Sequence, residues 1–427
     1  METFDLPGDL MLGTATAATH IEGGEQNHNW YRWSEQGKIK DGSHSKAACD
    51  HINRIESDVV LIVDLNCQTY RMGLEWSRIE PEEGEFSEEG IALYRKEIQL
   101  LIDKEVKPLV TLWHFSNPLW MEDDGGWVNP LSVSRFQNYV AYVIEQLGDL
   151  VTDWITINEP NVYLFFGYFD GVWPPGHQGD IKGFLKGARH LVIAHQRAYE
   201  LIHSYYTDAN QSPKVGVAHH LRIFDPIDKR LLSKMAAKLQ ERVFQNVFLE
   251  AMTLGEMMFP LTSGNFKMKE GLFADFIGVN YYSRDMIKGV WKPFELFGER
   301  CVSEEGSKND LGWEIHPEGL GVICEAIYEK YKLPIYITEN GTCDKHDAYR
   351  SKFIYDHLKA LSKIIESGVD VQRYYHWSLL DNFEWAEGNS ARFGLYHTNY
   401  KTQERTLRES GRYYAEICKN RSVLPPS

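Results

Sequence analysis

Short, apolar, β-rich segments alternate with longer amphipathic ones along the whole chain, and this alternation constrains the fold more than any other feature. The candidate strands are Leu12–Ala15, Thr69–Glu75, Lys107–His114, Trp154–Asn158, Lys214–His219, Phe276–Tyr281, Pro334–Glu339 and Gln372–Ser378. Most are apolar along their length, as parallel strands covered on both faces should be. Between them, apolar residues recur every three or four positions. Examples are Ile52, Ile55, Val59 and Val60, then Ile91, Tyr94, Ile98 and Leu101, then Phe136, Tyr139, Val140, Val143 and Leu147. This spacing marks helices with one buried face. Leu185–Tyr205, Arg230–Glu250, Pro317–Lys330 and Ser351–Ser367 behave likewise. A strand–helix unit repeated about eight times predicts an α/β fold, the (β/α)8 TIM barrel, as a single domain over residues 1–427 with the extra length in loops. A doubly wound open sheet shares the periodicity, but it would be favoured by a dinucleotide-binding fingerprint that the sequence does not contain.

A formal net charge of -16 argues against nucleic acid as a partner, because there is no basic stripe to displace counterions. It also weighs against a polyanionic substrate. Cysteines stand at 49, 67, 301, 324, 343 and 418, with no CxxC pair, so neither a redox motif nor a zinc ribbon is indicated. The segment Met1-Glu2-Thr3-Phe4-Asp5 does not read as a secretory leader, and no run of 18 apolar residues occurs. A cytoplasmic protein with reduced thiols and no membrane association is expected. Aromatic residues make up 13% of the chain. They fit first a large core, and second a site where pyranose C–H faces stack on rings.

In a barrel of this kind the site lies at the C-terminal ends of the strands, so the polar residues there matter most. Strand two carries Arg71 and Glu75. Strand three ends in Trp113-His114-Phe115, strand four in Asn158-Glu159-Pro160 and strand six in Asn280-Tyr281-Tyr282. Strand seven ends in Thr338-Glu339-Asn340-Gly341. Strand eight ends in His376-Trp377-Ser378, followed by Asp381-Asn382-Phe383-Glu384-Trp385. Two carboxyls at strand ends across one barrel suit hydrolysis of a glycosidic bond: one protonates the leaving oxygen, and the other attacks the anomeric carbon or activates water.

These segments resemble glycoside hydrolase family 1, the β-glucosidase family. Thr156-Ile157-Asn158-Glu159-Pro160 is similar to its acid/base motif, and Ile337-Thr338-Glu339-Asn340-Gly341 to its nucleophile motif. Gly13–Ala17, Ile21–Gly24, Glu75–Pro81 and Trp377–Trp385 are similar too, so that the resemblance spans roughly residues 5 to 418. It implies a retaining β-glycosidase that needs no cofactor, with carboxyls about 5 Å apart. It implies that Glu339 is the ionised nucleophile, held by Arg71 and Tyr282, and that Glu159 starts protonated as the acid/base. Asn158 would bind the sugar 2-hydroxyl. His114, Glu384 and Trp385 would bind the other hydroxyls, Asn280 matches a family site residue, His20 falls at a substrate-binding position, and Trp377 would stack beneath the ring. Trp313 and Phe393 would line the binding region, Trp313 on the aglycone side. The expected partner is a β-glucoside or a short β-linked oligosaccharide.

The chain departs from the family at His20, where a Gln is usual. An imidazole offers a different donor–acceptor geometry and gains charge near its ordinary value of about 6.5. The sequence therefore leaves glucose, galactose and fucose open, as it does the oligomeric state. Phe115 stands where many members have Trp. Glu384, Ala391 and Phe393 occupy the positions where phospho-sugar relatives cradle phosphate with Ser, Lys and Tyr, which argues against phosphorylated substrates. A non-catalytic carbohydrate binder usually lacks one of the two glutamates, and both are present here. A metal-dependent hydrolase would need clustered ligands, and His114, His219 and His376 are not spaced as such.

Overall fold

The computed structural model describes residues 2–208, 210–262 and 269–426. Eight strands close into a parallel barrel: β1 Met11–Ala15, β2 Thr69–Gly73, β3 Lys107–Trp113, β4 Asp153–Asn158, β5 Lys214–His220, β6 Ile277–Tyr281, β7 Ile335–Asn340 and β8 Val371–Trp377. Each pairs with its neighbours in chain order, and β8 returns to β1 with Tyr374 opposite Leu12. All eight expected strands are present, with ends within two residues of those read from the sequence. Every residue of β2, β4, β6 and β7 is buried, as the apolar runs require.

A helix follows each strand. These are α1 Ile55–Asp64, α2 Glu88–Asp103, α3 Ser132–Leu147, α4 Ile181–Asp208, α5 Leu231–Glu241, α6 Glu318–Tyr331, α7 Arg350–Glu366 and α8 Glu409–Asn420. After α5 the chain continues through a π turn, Arg242–Asn246, into Val247–Leu254. The entry to α2 shows how the sequence sets these boundaries. Ser87 accepts a hydrogen bond from the Gly90 amide, and Glu88 and Glu89 place negative charge on the first turn. Among the described residues, no helix is long and apolar enough to cross a membrane.

Two apolar clusters result. The larger fills the space between strands and helices. The smaller fills the barrel itself with inward side chains, including Leu109, Ile155, Phe276, Tyr336 and Tyr375. Phe276 stacks on Tyr336 with ring centres 4.0 Å apart. Beneath them Arg373 lies over Tyr336 and pairs with Asp153. This packing fills the barrel from below, and a cavity opens above the C-terminal ends of the strands. A three-stranded sheet that the sequence reading did not foresee flanks this end, built from Ile223–Pro226, Arg284–Gly289 and Gly298–Cys301.

One buried ionic cluster ties α1 to α2. His51 Nδ1 lies 2.9 Å from Asp58, and its Nε2 lies 3.2 Å from Glu97. Arg405 grips Asp58 at 3.0 and 3.1 Å. Burial opposes charge on the ring, but Glu97 and Asp58 outweigh it and push the His51 pKa up to about 10. The folded protein thus holds this proton more tightly than the unfolded chain, where the value is about 6.5. The resulting stabilisation is complete below the unfolded value and is lost as pH rises through the folded one. Thermal unfolding followed by circular dichroism should show Tm falling between about pH 7 and pH 10, and falling less in His51→Gln, which starts less stable. An equal fall in His51→Gln would show that the responsible proton lies elsewhere.

Candidate active site

Strand register brings the polar strand ends to one level. Glu339 on β7 stands opposite Asn280 on β6, and Asn280 stands opposite His220 on β5. Asn158 closes β4, and the next residue, Glu159, adopts the left-handed conformation at φ 43° before Pro160 opens a short helix. A non-glycine residue in this region carries strain, which is typical of functional sites. Glu339 is fixed from both sides of its strand. Asn340 donates to the Tyr281 carbonyl at 2.8 Å and accepts from Tyr374 OH at 2.8 Å, tying β7 to β6 and β8. Gly341 is required beyond it, since a Cβ there would lie 1.8 Å from the Trp377 carbonyl oxygen.

Arg71 is wholly buried at the centre. It donates to Glu339 Oε1 at 2.6 Å, to the Thr338 carbonyl at 3.0 Å, to Asn158 Oδ1 at 2.6 Å and to Thr111 Oγ1 at 3.2 Å. Tyr282 OH donates to the other Glu339 oxygen at 2.6 Å. Asn280 Nδ2 donates to Asn158 Oδ1 at 3.0 Å and to Glu159 Oε1 at 2.8 Å, while its own oxygen accepts from Thr338 at 2.6 Å. His220 Nδ1 lies 3.0 Å from the same Glu159 oxygen. Both carboxyls thus share one network.

Burial pushes Glu339 up to about 7 against the pull of Arg71, and a negative charge on Glu159 adds to the rise. Burial also raises Glu159, and a charged His220 ring would outweigh that and draw it below the ordinary carboxylate value. However, Arg222 donates into His220 Nε2 at 2.7 Å. A ring nitrogen that accepts a hydrogen bond carries no proton, so His220 is neutral and cannot exert that pull. Glu159 faces neutral donors, Glu339 faces a guanidinium, and the two carboxyls titrate as a pair.

A cavity of about 250 Å³ opens above this network. Glu159, Glu339, His114, Tyr282, Trp313, Trp377, Glu384, Trp385 and Phe393 line it. Arg71, Asn158 and Asn280 lie beneath the lining, where they hold the carboxyls. His219 and His376 are buried and do not line it. At one end, His114 Nε2 accepts from Asn158 at 2.8 Å, so its proton sits on Nδ1. His114 Nδ1, both nitrogens of His20 and Glu384 Oε2 are buried without a hydrogen bond. Unpaired buried polar atoms are uncommon, and four gather here around Trp377 and Trp385. Phe115, Val162, Phe166, Trp173, Leu311 and half-exposed Trp313 supply further apolar lining. Glu384 is pushed up to about 8, first by burial and then by the charge of Glu339.

One expectation is corrected by the structure. His20 does not titrate near its ordinary value, because burial pushes it down to about 3. Its ring packs against Trp385, with centres 4.1 Å apart, and stands 3.9 Å from Glu384. The sequence reading also missed His220 and Arg222. The signal was present, since His220 is the polar residue that ends β5, but that strand was read as stopping at His219.

The model of the family described as Glycosyl hydrolase family 1 matches residues 2–423. Beta-glucosidase A of Acetivibrio thermocellus is 32% identical, over 98% of this chain and 99% of that protein. Beta-glucosidase A of Thermotoga maritima is 33% identical, over 99% and 100%. Among solved structures, a beta-glycosidase from Pyrococcus horikoshii superposes with a TM-score of 0.91 at 35% identity, covering 99% of this chain and 97% of that one. The Thermotoga maritima beta-glucosidase in complex with glucoimidazole superposes with a TM-score of 0.90 at 31% identity, covering 98% and 99%. A match of this length, on a barrel with a cavity that joins two strand-end carboxyls, leads to a single conclusion: the chain belongs to glycosyl hydrolase family 1.

Proposed function

We propose that the chain, as one catalytic domain, is a retaining β-glucosidase that removes terminal β-D-glucosyl residues by double displacement. The carrying observation is the unequal company of the two carboxyls. Glu339 is met by a guanidinium and a phenol at 2.6 Å each, and Glu159 by neutral N–H groups alone. The proton of the pair therefore belongs on Glu159. With that proton in place, Glu159 no longer adds its charge to the rise in Glu339, which stays ionised against Arg71. In the first step a Glu339 oxygen bonds to the anomeric carbon, the glycosidic C–O bond breaks, and the aglycone oxygen takes the Glu159 proton. In the second, water loses a proton to the Glu159 carboxylate and bonds to the same carbon, and the Glu339 ester bond breaks. Consumption of the Glu339 charge in the ester allows Glu159 to work as a base.

The glycone end supports a neutral, hydroxylated ring. Trp377 offers a flat face, and the unpaired atoms of His114 and Glu384 supply donors and acceptors around it. The Thermotoga maritima relative is known in complex with glucoimidazole and with galacto-hydroximolactam. A phosphorylated sugar is disfavoured. Ala391 and Phe393 bring no cation, and Arg392 is turned to Asp381 at 3.1 Å and to the Thr398 carbonyl at 3.0 Å.

Glu339→Ala should lose about 10⁴-fold or more in kcat on aryl β-glucosides, with azide restoring turnover as the α-glycosyl azide. Near-native turnover in this variant would sink the assignment. Glu159→Ala should lose about 10²- to 10⁴-fold on alkyl glucosides but far less on dinitrophenyl glucoside, whose leaving group needs no proton. Because burial keeps His20 neutral, the acid limb of the kcat/KM profile should be the same in wild type and in His20→Gln. An acid limb that vanishes in His20→Gln would mean that the imidazole titrates in the working range.

A further inference from the structure

His220 closes β5 and lines the cavity at the level of the two carboxyls. Its Nδ1 lies 3.0 Å from Glu159 Oε1. Across the ring, Arg222 Nη2 and Nε lie 2.7 and 3.3 Å from Nε2. A guanidinium has no lone pair to offer and can only donate. Nε2 must accept, so the ring proton is on Nδ1 and points at Glu159. Arg222 is itself anchored, with Nη1 2.9 Å from Asp285 and its backbone amide 3.0 Å from Gln245 Oε1. The flanking sheet sets this up by pairing Phe224, two residues after Arg222, with Asp285. The His220 ring lies nearly parallel to Tyr282, and its carbonyl accepts from Asn161 at 3.0 Å. Nothing in this arrangement lets the ring turn over without losing several contacts.

We propose that His220, locked by Arg222 and Asp285, is a positioning residue that confines the acid proton of Glu159 to Oε2. Oε1 already accepts from His220 Nδ1 and Asn280 Nδ2. A hydroxyl on Oε1 would face two donors and have no acceptor, so the proton occupies the other oxygen. Oε2 is then the atom that protonates the glycosidic oxygen, and later the atom that takes the proton from water. His220 keeps its own proton throughout. This rests on the assignment of Glu159 as acid/base. The charged and titratable groups around the pair are Arg71 from β2, His114 after β3, Tyr282 beside β6, Glu339 from β7, Glu384 from the loop after β8 and Arg222 on the His220 segment. Asp285 and Arg300 stand behind Arg222.

Two substitutions should move the alkaline limb of kcat/KM, which reports the free enzyme's acid, in opposite directions. His220→Phe removes a donor that favours the carboxylate, so the limb should shift to higher pH. Arg222→Met frees Nε2 to take a proton, and an imidazolium against Glu159 should shift the limb to lower pH. Both should slow an alkyl β-glucoside about 10-fold or more while changing dinitrophenyl β-glucoside only slightly. His220→Gln keeps an N–H donor and should recover most of the alkyl-glucoside rate. Limbs that stay in place, limbs that shift in the same direction, or losses equal across leaving groups would overturn the proposal while wild-type turnover stands. A wild type that cleaves no β-glycoside would instead overturn the reading beneath it.

Discussion

The site depends on one buried guanidinium. Arg71 has no solvent exposure, and an isolated charge in such a place would be prohibitively costly. It is tolerated because four hydrogen bonds meet it from β3, β4 and β7, one of them from the Glu339 carboxylate. Removing either partner would leave the other charge buried and alone, which is far worse than losing both. The strand ends therefore stand in fixed register around Arg71. The same bonds that make its charge tolerable aim Asn158 and Glu339 at the space above.

Around this centre the protein departs from ordinary packing rules. Three cavity-lining residues, Phe115, Glu159 and Trp385, have positive φ although none is glycine. Four buried polar atoms near Trp377 lack hydrogen bonds. Below this level the barrel is ordinary, with apolar strands and an interior filled by stacked rings. Local conflict of this kind persists only where the surrounding structure over-determines it, and it marks where binding supplies what folding leaves unsatisfied.

The strands were legible because burial on both faces demands long apolar runs, and such runs end abruptly at polar residues. This logic found Glu159, Glu339, Asn280 and Trp377. It faltered at β5, where two histidines in succession blur the boundary and hide His220. The flanking sheet went unseen because its strands are only four to six residues long and mix charged with apolar positions. His20 is a different kind of failure. Its identity was plain, but its behaviour depends on complete burial behind Trp385, a property of packing across β1 and the loop after β8 rather than of any local pattern.

The charges in the cavity also explain why hydroxyls suit it. Glu159, Glu339 and Glu384 share one low-dielectric space, where three negative charges cannot coexist. Arg71 pairs directly with Glu339. The charge of Arg222 is answered by Asp285, and the neutral His220 ring carries a hydrogen bond to Glu159 without carrying a charge there. Glu384, at about 8, holds its proton at neutral pH, and His20, at about 3, holds none to spare. The glycone end thus presents neutral groups that donate and accept together, the complement of an alcohol and not of an anion. On the proposed mechanism, the first displacement consumes the Glu339 charge, and with it part of what keeps both Glu159 and Glu384 protonated. One covalent event then turns Glu159 from acid to base and strengthens Glu384 as an acceptor at the sugar hydroxyls, without any residue having to move.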